Sequence, residues 1–193
     1  MSDQIIISIG REFGSAGHEI AQKLSEKLGI QLVDRKLVEH ICTQNGEDIK
    51  ILEKYDEHER NLFLSRTIGD QNNSIADHIA KKQFEYMKKL AADGESFVVV
   101  GRCSDYILRD YDCLVSVFIT GDMDNKLERV ERIYELSEKD AENKIKRHDK
   151  TRSSYHNYYS DTKWGRASSY DIVMNSSRFG EDKCVDIIIG CVR

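Results

Sequence analysis

The order of apolar runs predicts a three-layer α/β domain built on a parallel five-stranded sheet. Three observations carry this. Five short runs rich in β-branched residues punctuate the chain, at 5–9, 30–33, 97–100, 114–120 and 170–174. They are continuous rather than alternating, which suits strands covered on both faces. Helical patterns separate them, and strand-helix-strand order implies parallel strands joined by right-handed crossovers.

Taken in order, the run 5–9 ends at Gly10 and is followed by a glycine-containing turn. In 19–28, Ile20, Ala21, Leu24 and Leu28 share one helix face and Gly29 is a stop signal. The stretch 35–93 is too long for one crossover helix. It reads as helices at 37–43, 48–65 and 73–90, broken at Asn45-Gly46 and at 69–73, and forms a helical insertion suited to covering a site. Residues 125–159 are charged and helical with a break near Ser137, where Ser137 and Asp140 resemble a capping box. A closing amphipathic helix spans 181–192. No repeat or linker marks a second domain.

The 193 residues suffice for one hydrophobic core. With 39% hydrophobic and 33% charged residues, and no long apolar run, the chain reads as a soluble protein without a membrane span or signal peptide. A net charge of −5 argues against a general nucleic-acid binder and allows a local basic site. Five cysteines without CxxC spacing fit reduced thiols, so a cytoplasmic location is expected. The oligomeric state is open, a homo-oligomer included.

The turn Gly10–Glu19, GREFGSAGHE, has the makings of a phosphate cradle. A strand that ends in a glycine turn before a helix aims backbone N–H groups and a positive helix end at one spot. The strict P-loop pattern G-x-x-x-x-G-K-[ST] nevertheless fails. With Gly17 as its second glycine, Glu12 takes the first, His18 the lysine and Glu19 the hydroxyl. The alternative is a glycine turn that only packs a helix on a sheet. Arg11 stands where it can supply the missing fixed charge. His18 is either a phosphate contact or a solvated first-turn residue. Ser15 is the hydroxyl able to reach a metal ion.

The wider stretch IGREFGSAGHEIAQKLSEKLGIQLVDRKLVEHI resembles the cytidylate kinase-like family, a branch of the P-loop nucleoside monophosphate kinases. The resemblance continues through VVVGRCSDYIL, KIKRHDKTRSSYHNYYSDTKWG and YDIVMNSS, nearly the whole chain. It implies a P-loop NTPase-type fold with a core (1–34, 94–125, 166–193), an acceptor-site insertion (35–93) and a lid (about 137–165). It also implies ATP and Mg²⁺, and a cofactor-binding loop of Gly10, Arg11, Gly14, Ser15, Ala16, Gly17, His18 and Glu19.

Three further constellations follow. Asp34-Arg35 stand at the end of the second strand, where open α/β sheets bind ligands. There Asp34 is equally a helix cap. The resemblance puts both beside the acceptor nucleotide. Arg102 follows the third strand, and its planar fork suits a phosphate. Cytidylate kinases carry Gly-Arg-Asp here. Cys103 takes the Asp position, and Asp105 is near enough to substitute. Finally Lys144, Lys146, Arg147, Lys150 and Arg152 crowd an otherwise acidic protein. The lid of the resembled kinases makes Arg147 and Arg152 the catalytic candidates, with Lys150 third. Tyr155, Tyr158, Tyr159 and Trp164 pack the lid's root, form a subunit contact or stack on a base. Asn175-Ser176-Ser177 resembles a turn beside the ATP adenine and is equally a helix cap.

The function expected is transfer of the ATP γ-phosphoryl group to CMP, dCMP or a related monophosphate. A kinase of a non-nucleotide small molecule and a nucleotide-binding regulator without turnover are the alternatives.

Overall fold

The computed structural model describes residues 4–34 and 70–192. Its sheet consists of β1 (Ile6–Arg11), β2 (Gln31–Val33), β3 (Phe97–Val100), β4 (Leu114–Thr120) and β5 (Ile172–Asn175). All pairings are parallel, in the order β2-β3-β1-β4-β5. The chain runs first to one side of β1 and then to the other. Such a reversal opens a crevice at the carboxyl ends of the strands.

The helices are α1 (Gly17–Leu28), α2 (Asp70–Ala92), α3 (Ser104–Ile107), α4 (Met123–Tyr134), α5 (Glu138–Tyr159), α6 (Ser176–Phe179) and α7 (Glu181–Cys191). Of the break expected at 69–73, residues 70–73 are part of α2 and do not interrupt it, and Gly69 lies outside the described residues. The helices expected at 37–43 and 48–65 lie outside the described residues. α1 ends as expected at Gly29 in the left-handed region, φ 65°. The break near Ser137 separates α4 from α5, and Ser137 Oγ accepts from the Asp140 amide at 3.3 Å.

Strand alternation sends side chains to two cores. One face packs Ile7, Ile9, Val98, Val100, Val117 and Ile119 against Ile20, Ala21 and Leu24 of α1 and Val185 and Ile188 of α7. The opposite face packs Ile6, Val33, Phe97 and Val99 against Met87 and Ala91 of α2. A third cluster, Phe13, Val130, Ala141 and Ile145, seats α4 and α5 against the turn after β1. Among the described residues no helix is long and apolar enough to cross a membrane.

Gly10 leaves β1 where a larger residue has no room. A Cβ there would stand 2.8 Å from the Phe118 ring and 3.3 Å from Tyr170. Phe118 is buried and held by Trp164 and Tyr170, at 5.1 and 5.0 Å between ring centroids. Overpacking of this kind costs about 1–3 kcal/mol. Gly10→Ala should therefore lower stability by that amount in urea unfolding. An unchanged midpoint would show that the Phe118 ring can yield.

Candidate active site

The turn 12–16 is braced from beneath. Glu12 Oε2 accepts from the Gly121 amide at 3.1 Å and from Lys126 Nζ at 3.0 Å. The Lys126 side chain is only 6% exposed, so it acts under the loop and not in the cleft. Asp149 Oδ1 accepts from the Phe13 amide at 2.6 Å. Ser15 Oγ donates toward the carbonyls of Glu12 and Ile119, at 2.9 and 3.1 Å. Ser176 Oγ donates to the Ser15 carbonyl at 2.8 Å, tying the exit of β5 to the loop. Gly14 (φ 81°) and Ala16 (φ 60°) take the left-handed conformation that turns the chain into α1.

The first intrahelical bond of α1 is donated by Ile20 to the Ala16 carbonyl at 2.9 Å. The amides of Gly17, His18 and Glu19 therefore precede the ladder and face outward at the positive helix end. They open on a cleft of about 570 Å³. Gly10, Arg11, Gly14, Ala16, Gly17, His18 and Glu19 line it, as do Asp34, Arg102, Asp105 and Arg152. Ser15 does not. It is 2% exposed, and its proton is directed at backbone carbonyls. Glu12 and Glu19 are neutralised, by Lys126 and by Arg129 at 3.1 Å.

Arg11 crosses between two glycines. A Cβ on Gly17 would lie 2.5 Å from Arg11 Cβ, and one on Gly101 2.3 Å from Arg11 Nη1. Burial foremost, then the charges of Arg152 and Arg102, press the Arg11 guanidinium well below the usual arginine range, with Asp149 opposing. A guanidinium does not deprotonate in a protein. Burial and two like charges therefore leave the Arg11 cation short of compensation, which an anion in the cleft would supply. This electrostatic shortfall, with the outward amides, fits a nucleotide's phosphates.

The wall at the end of β3 is strained. Gly101 (φ 72°), Arg102 (φ 58°) and Cys103 (φ 58°) are successive left-handed residues. For the two non-glycines this costs roughly 1–3 kcal/mol each, and such strain persists only where the surroundings enforce it. It points Arg102 at the cleft and starts α3, where Ile107 donates to the Cys103 carbonyl at 2.9 Å. The Tyr155 hydroxyl is enclosed near Arg102 without a partner of proper hydrogen-bond geometry, and burial pushes its pKa up to about 12.

α5 reaches the cleft along the face of His148, Thr151, Arg152, Tyr155 and His156. Arg152 Nη1 donates to the Arg11 carbonyl at 3.2 Å, and His148 stacks on Phe13 at 4.3 Å. Arg147 and Lys150 are exposed and do not line the cleft. Helical geometry explains the split, since at about 100° per residue 147 and 150 stand roughly 140° and 160° around the helix from Arg152. Arg35 lies outside the described residues. The tyrosines serve mainly the root of α5. Tyr159 packs on Tyr155 and Phe84, and its hydroxyl donates to Asp77 at 2.6 Å. Asn175 caps α6, accepting from the Ser177 amide at 2.9 Å. Sequence reasoning missed Lys126 altogether, because one lysine in a charged amphipathic helix carries no signal.

Asp149 offers a pH test. Burial raises its pKa above the usual carboxyl value, against the pull of the Phe13 amide and Lys126. The native state then holds its proton more tightly than the unfolded chain, whose value is about 3.9. Stability from this group is present at low pH and declines as pH rises from about 4 through the native pKa. Asp149→Asn keeps an acceptor for Phe13 but cannot ionise. Its stability relative to the parent should rise across that window and then level off, measured by urea unfolding at several pH values. Parallel profiles would refute the assignment.

The profile of the cytidylate kinase-like family matches residues 6–178. No curated protein matches. A crystal structure of an uncharacterized protein from Eubacterium ventriosum ATCC 27560 is 36% identical, with a TM-score of 0.78 and 98% of each chain covered. Shikimate kinase from Acinetobacter baumannii, in complex with shikimate, shares 12% identity at TM-score 0.55, covering 99% of this chain and 94% of that one. Shikimate kinase from Aquifex aeolicus shares 17% at 0.50, covering 97% and 95%. The two shikimate kinases speak for the fold alone. The family match spans the loop, the strand ends and α5 together, and the chain belongs to the cytidylate kinase-like family of P-loop phosphotransferases.

Proposed function

We propose that the protein transfers the γ-phosphoryl group of ATP to a nucleoside monophosphate, with CMP and dCMP the first candidates. One observation carries this reading: Arg11, Arg102 and Arg152 line one cleft at a helix start, and Arg11 there is buried beside the charges of the other two. Phosphoryl transfer asks for positioning and charge neutralisation more than for covalent chemistry. An acceptor phosphate is already ionised at neutral pH, so no side chain need act as base.

The roles divide by position. The Gly14–Glu19 turn and Arg11 hold the donor phosphates, Arg102 and Asp34 the acceptor, and Arg152 the group in transit. Mg²⁺ would offset the charge of the donor phosphates. Ser15, the hydroxyl expected to reach it, is turned inward, and Asp34 is the lining carboxylate that would hold it. Arg147 and Lys150 stand outside this set. A lid at about 137–165 and an acceptor-site insertion at 35–93 complete the proposed layout. A second reading, a non-nucleotide acceptor, is favoured by Cys103 at the position where cytidylate kinases carry Asp.

A coupled ADP-release assay decides, run over nucleoside monophosphates and other phosphate or hydroxyl acceptors with Mg²⁺. Turnover of CMP supports the first reading and turnover only of another acceptor the second. Nucleotide binding without any turnover overturns both. Arg102→Ala should raise the acceptor KM about tenfold or more, the loss of one charge-assisted contact. Arg152→Ala should mainly lower kcat, by on the order of 10²-fold, as expected for a donor engaged in the transition state. Arg11→Ala should weaken ATP binding by about 1.5–3 kcal/mol, and His18→Ala much less. Wild-type behaviour of all three arginine variants would refute the site.

A further inference from the structure

Cys103, Asp105 and His156 bring a thiol, a carboxylate and an imidazole together on the wall of the cleft, with their ligand atoms within 4.8 Å of one another. Two come from the strained turn after β3 and one from α5. The three side chains are nearly enclosed: Cys103 is 3% exposed and the side chains of Asp105 and His156 are 7% and 5% exposed. The phosphate chemistry proposed above uses neither Cys103 nor His156.

His156 is held at both ring nitrogens. Ser160 Oγ lies 3.1 Å from the Thr162 carbonyl, 3.1 Å from His156 Nδ1 and 3.3 Å from Thr162 Oγ1, and also interacts with the Cys103 thiol. Nε2 faces an Asp105 oxygen at 2.7 Å. In the metal-free chain an Nε2–H donated to Asp105, with Ser160 donating to Nδ1, satisfies both ring nitrogens. A metal ion held by Nε2 and Asp105 would take the place of that proton.

The Cys103 thiol lies 3.8 Å from the His156 carbonyl and has the Ser160 side chain as a further polar neighbour. The Tyr170 hydroxyl, on a residue 9% exposed, is enclosed and lacks a partner of proper geometry, and it lies within electrostatic reach of both Asp105 and Cys103. A water on the metal would give that hydroxyl its partner.

We propose that Cys103, Asp105 and His156 bind a zinc-class divalent ion whose remaining position opens on the acceptor side of the cleft. One sulfur, one nitrogen and one oxygen suit a borderline-soft ion. Metal–ligand distances of about 2.0–2.3 Å place tetrahedral ligand atoms about 3.3–3.7 Å apart, so the widest pair must close by about 1 Å. The ion takes up the thiolate and releases its proton to solvent. It joins the turn after β3 to α5, and its open position takes water or an oxygen of the acceptor. The inference is independent of which acceptor is phosphorylated, and its failure would leave the phosphotransfer reading intact.

The test is a Co²⁺ titration of the chelator-treated chain followed by absorption, then displacement by Zn²⁺. One equivalent should bind with a thiolate-to-metal band in the near ultraviolet and tetrahedral ligand-field bands. Cys103→Ser and His156→Gln should abolish the thiolate band and weaken binding at least tenfold. Cys191→Ser, exposed on α7, and Cys42→Ser should keep it. X-ray absorption of the zinc-loaded parent, which needs no variant to fold, should show one sulfur with nitrogen or oxygen neighbours. Absence of stoichiometric binding, a sphere with no sulfur or with two, or a band that survives Cys103→Ser would overturn the proposal.

Discussion

The buried ammonium of Lys126 holds the site in shape. It lies beneath the turn after β1, 3.0 Å from Glu12 and 4.0 Å from Asp149. A lone buried ammonium would be costly, and two carboxylates from distant parts of the chain answer it. Each carboxylate also accepts a backbone amide, Glu12 from Gly121 and Asp149 from Phe13. One charge thereby fixes β1, the exit of β4, α4 and α5 around a single loop. Breaking such an arrangement from one side costs on the order of 3 kcal/mol, far more than an exposed pair. The consequence for chemistry is that the amides of α1's first turn are aimed by a preset loop, with no ordering left for a ligand to impose.

Above that brace the cleft is kept electrostatically and sterically unrelaxed. Arg11 is buried beside the charges of Arg102 and Arg152, and two non-glycine residues sit at φ 58°. Neither feature helps the fold, and both are tolerated because the parallel sheet and its two cores supply the stability. The same strain that turns Arg102 toward the cleft turns Cys103 toward His156. The proposed phosphate contact of Arg102 and the proposed metal site thus share one backbone turn.

Much of this was legible in the sequence, for reasons that are local. Continuous apolar runs marked the strands because both faces of the sheet are buried, and the runs 97–100 and 114–120 coincide with β3 and β4. Gly29 and Ser137 marked helix limits because capping chemistry is local. Arg11, Arg102 and Arg152 could be singled out because each stands at a recognisable motif. What was not legible depends on contacts between distant segments. Lys126 meets Glu12 across 114 residues. His156 meets Asp105 only because α5 packs back over the turn after β3. That Arg152 lines the cleft while Arg147 and Lys150 do not depends on the helix phase, which composition alone does not give.

In the proposed reading Arg11 stands in for the missing lysine, and the geometry around it fits that role. A P-loop lysine approaches phosphates from the first turn of the helix, where His18 here is exposed. Arg11 approaches from the end of β1, through a channel that exists only because Gly17 and Gly101 have no side chains. A Cβ at either would lie within 2.5 Å of the arginine. Gly101 sits at φ 72°, but Gly17 begins a regular helix and needs no left-handed freedom. Its smallness therefore answers to the arginine. The exchange of a flexible, titratable ammonium for a planar, permanently charged guanidinium alters the site's character. A lysine at position 18 would be solvated until a ligand arrives. Arg11 is already desolvated and crowded by two like charges, so much of its cost lies in the fold and not in binding. A loop that fails the usual pattern at its lysine can thus still present a fixed charge to the cleft, from the end of its strand.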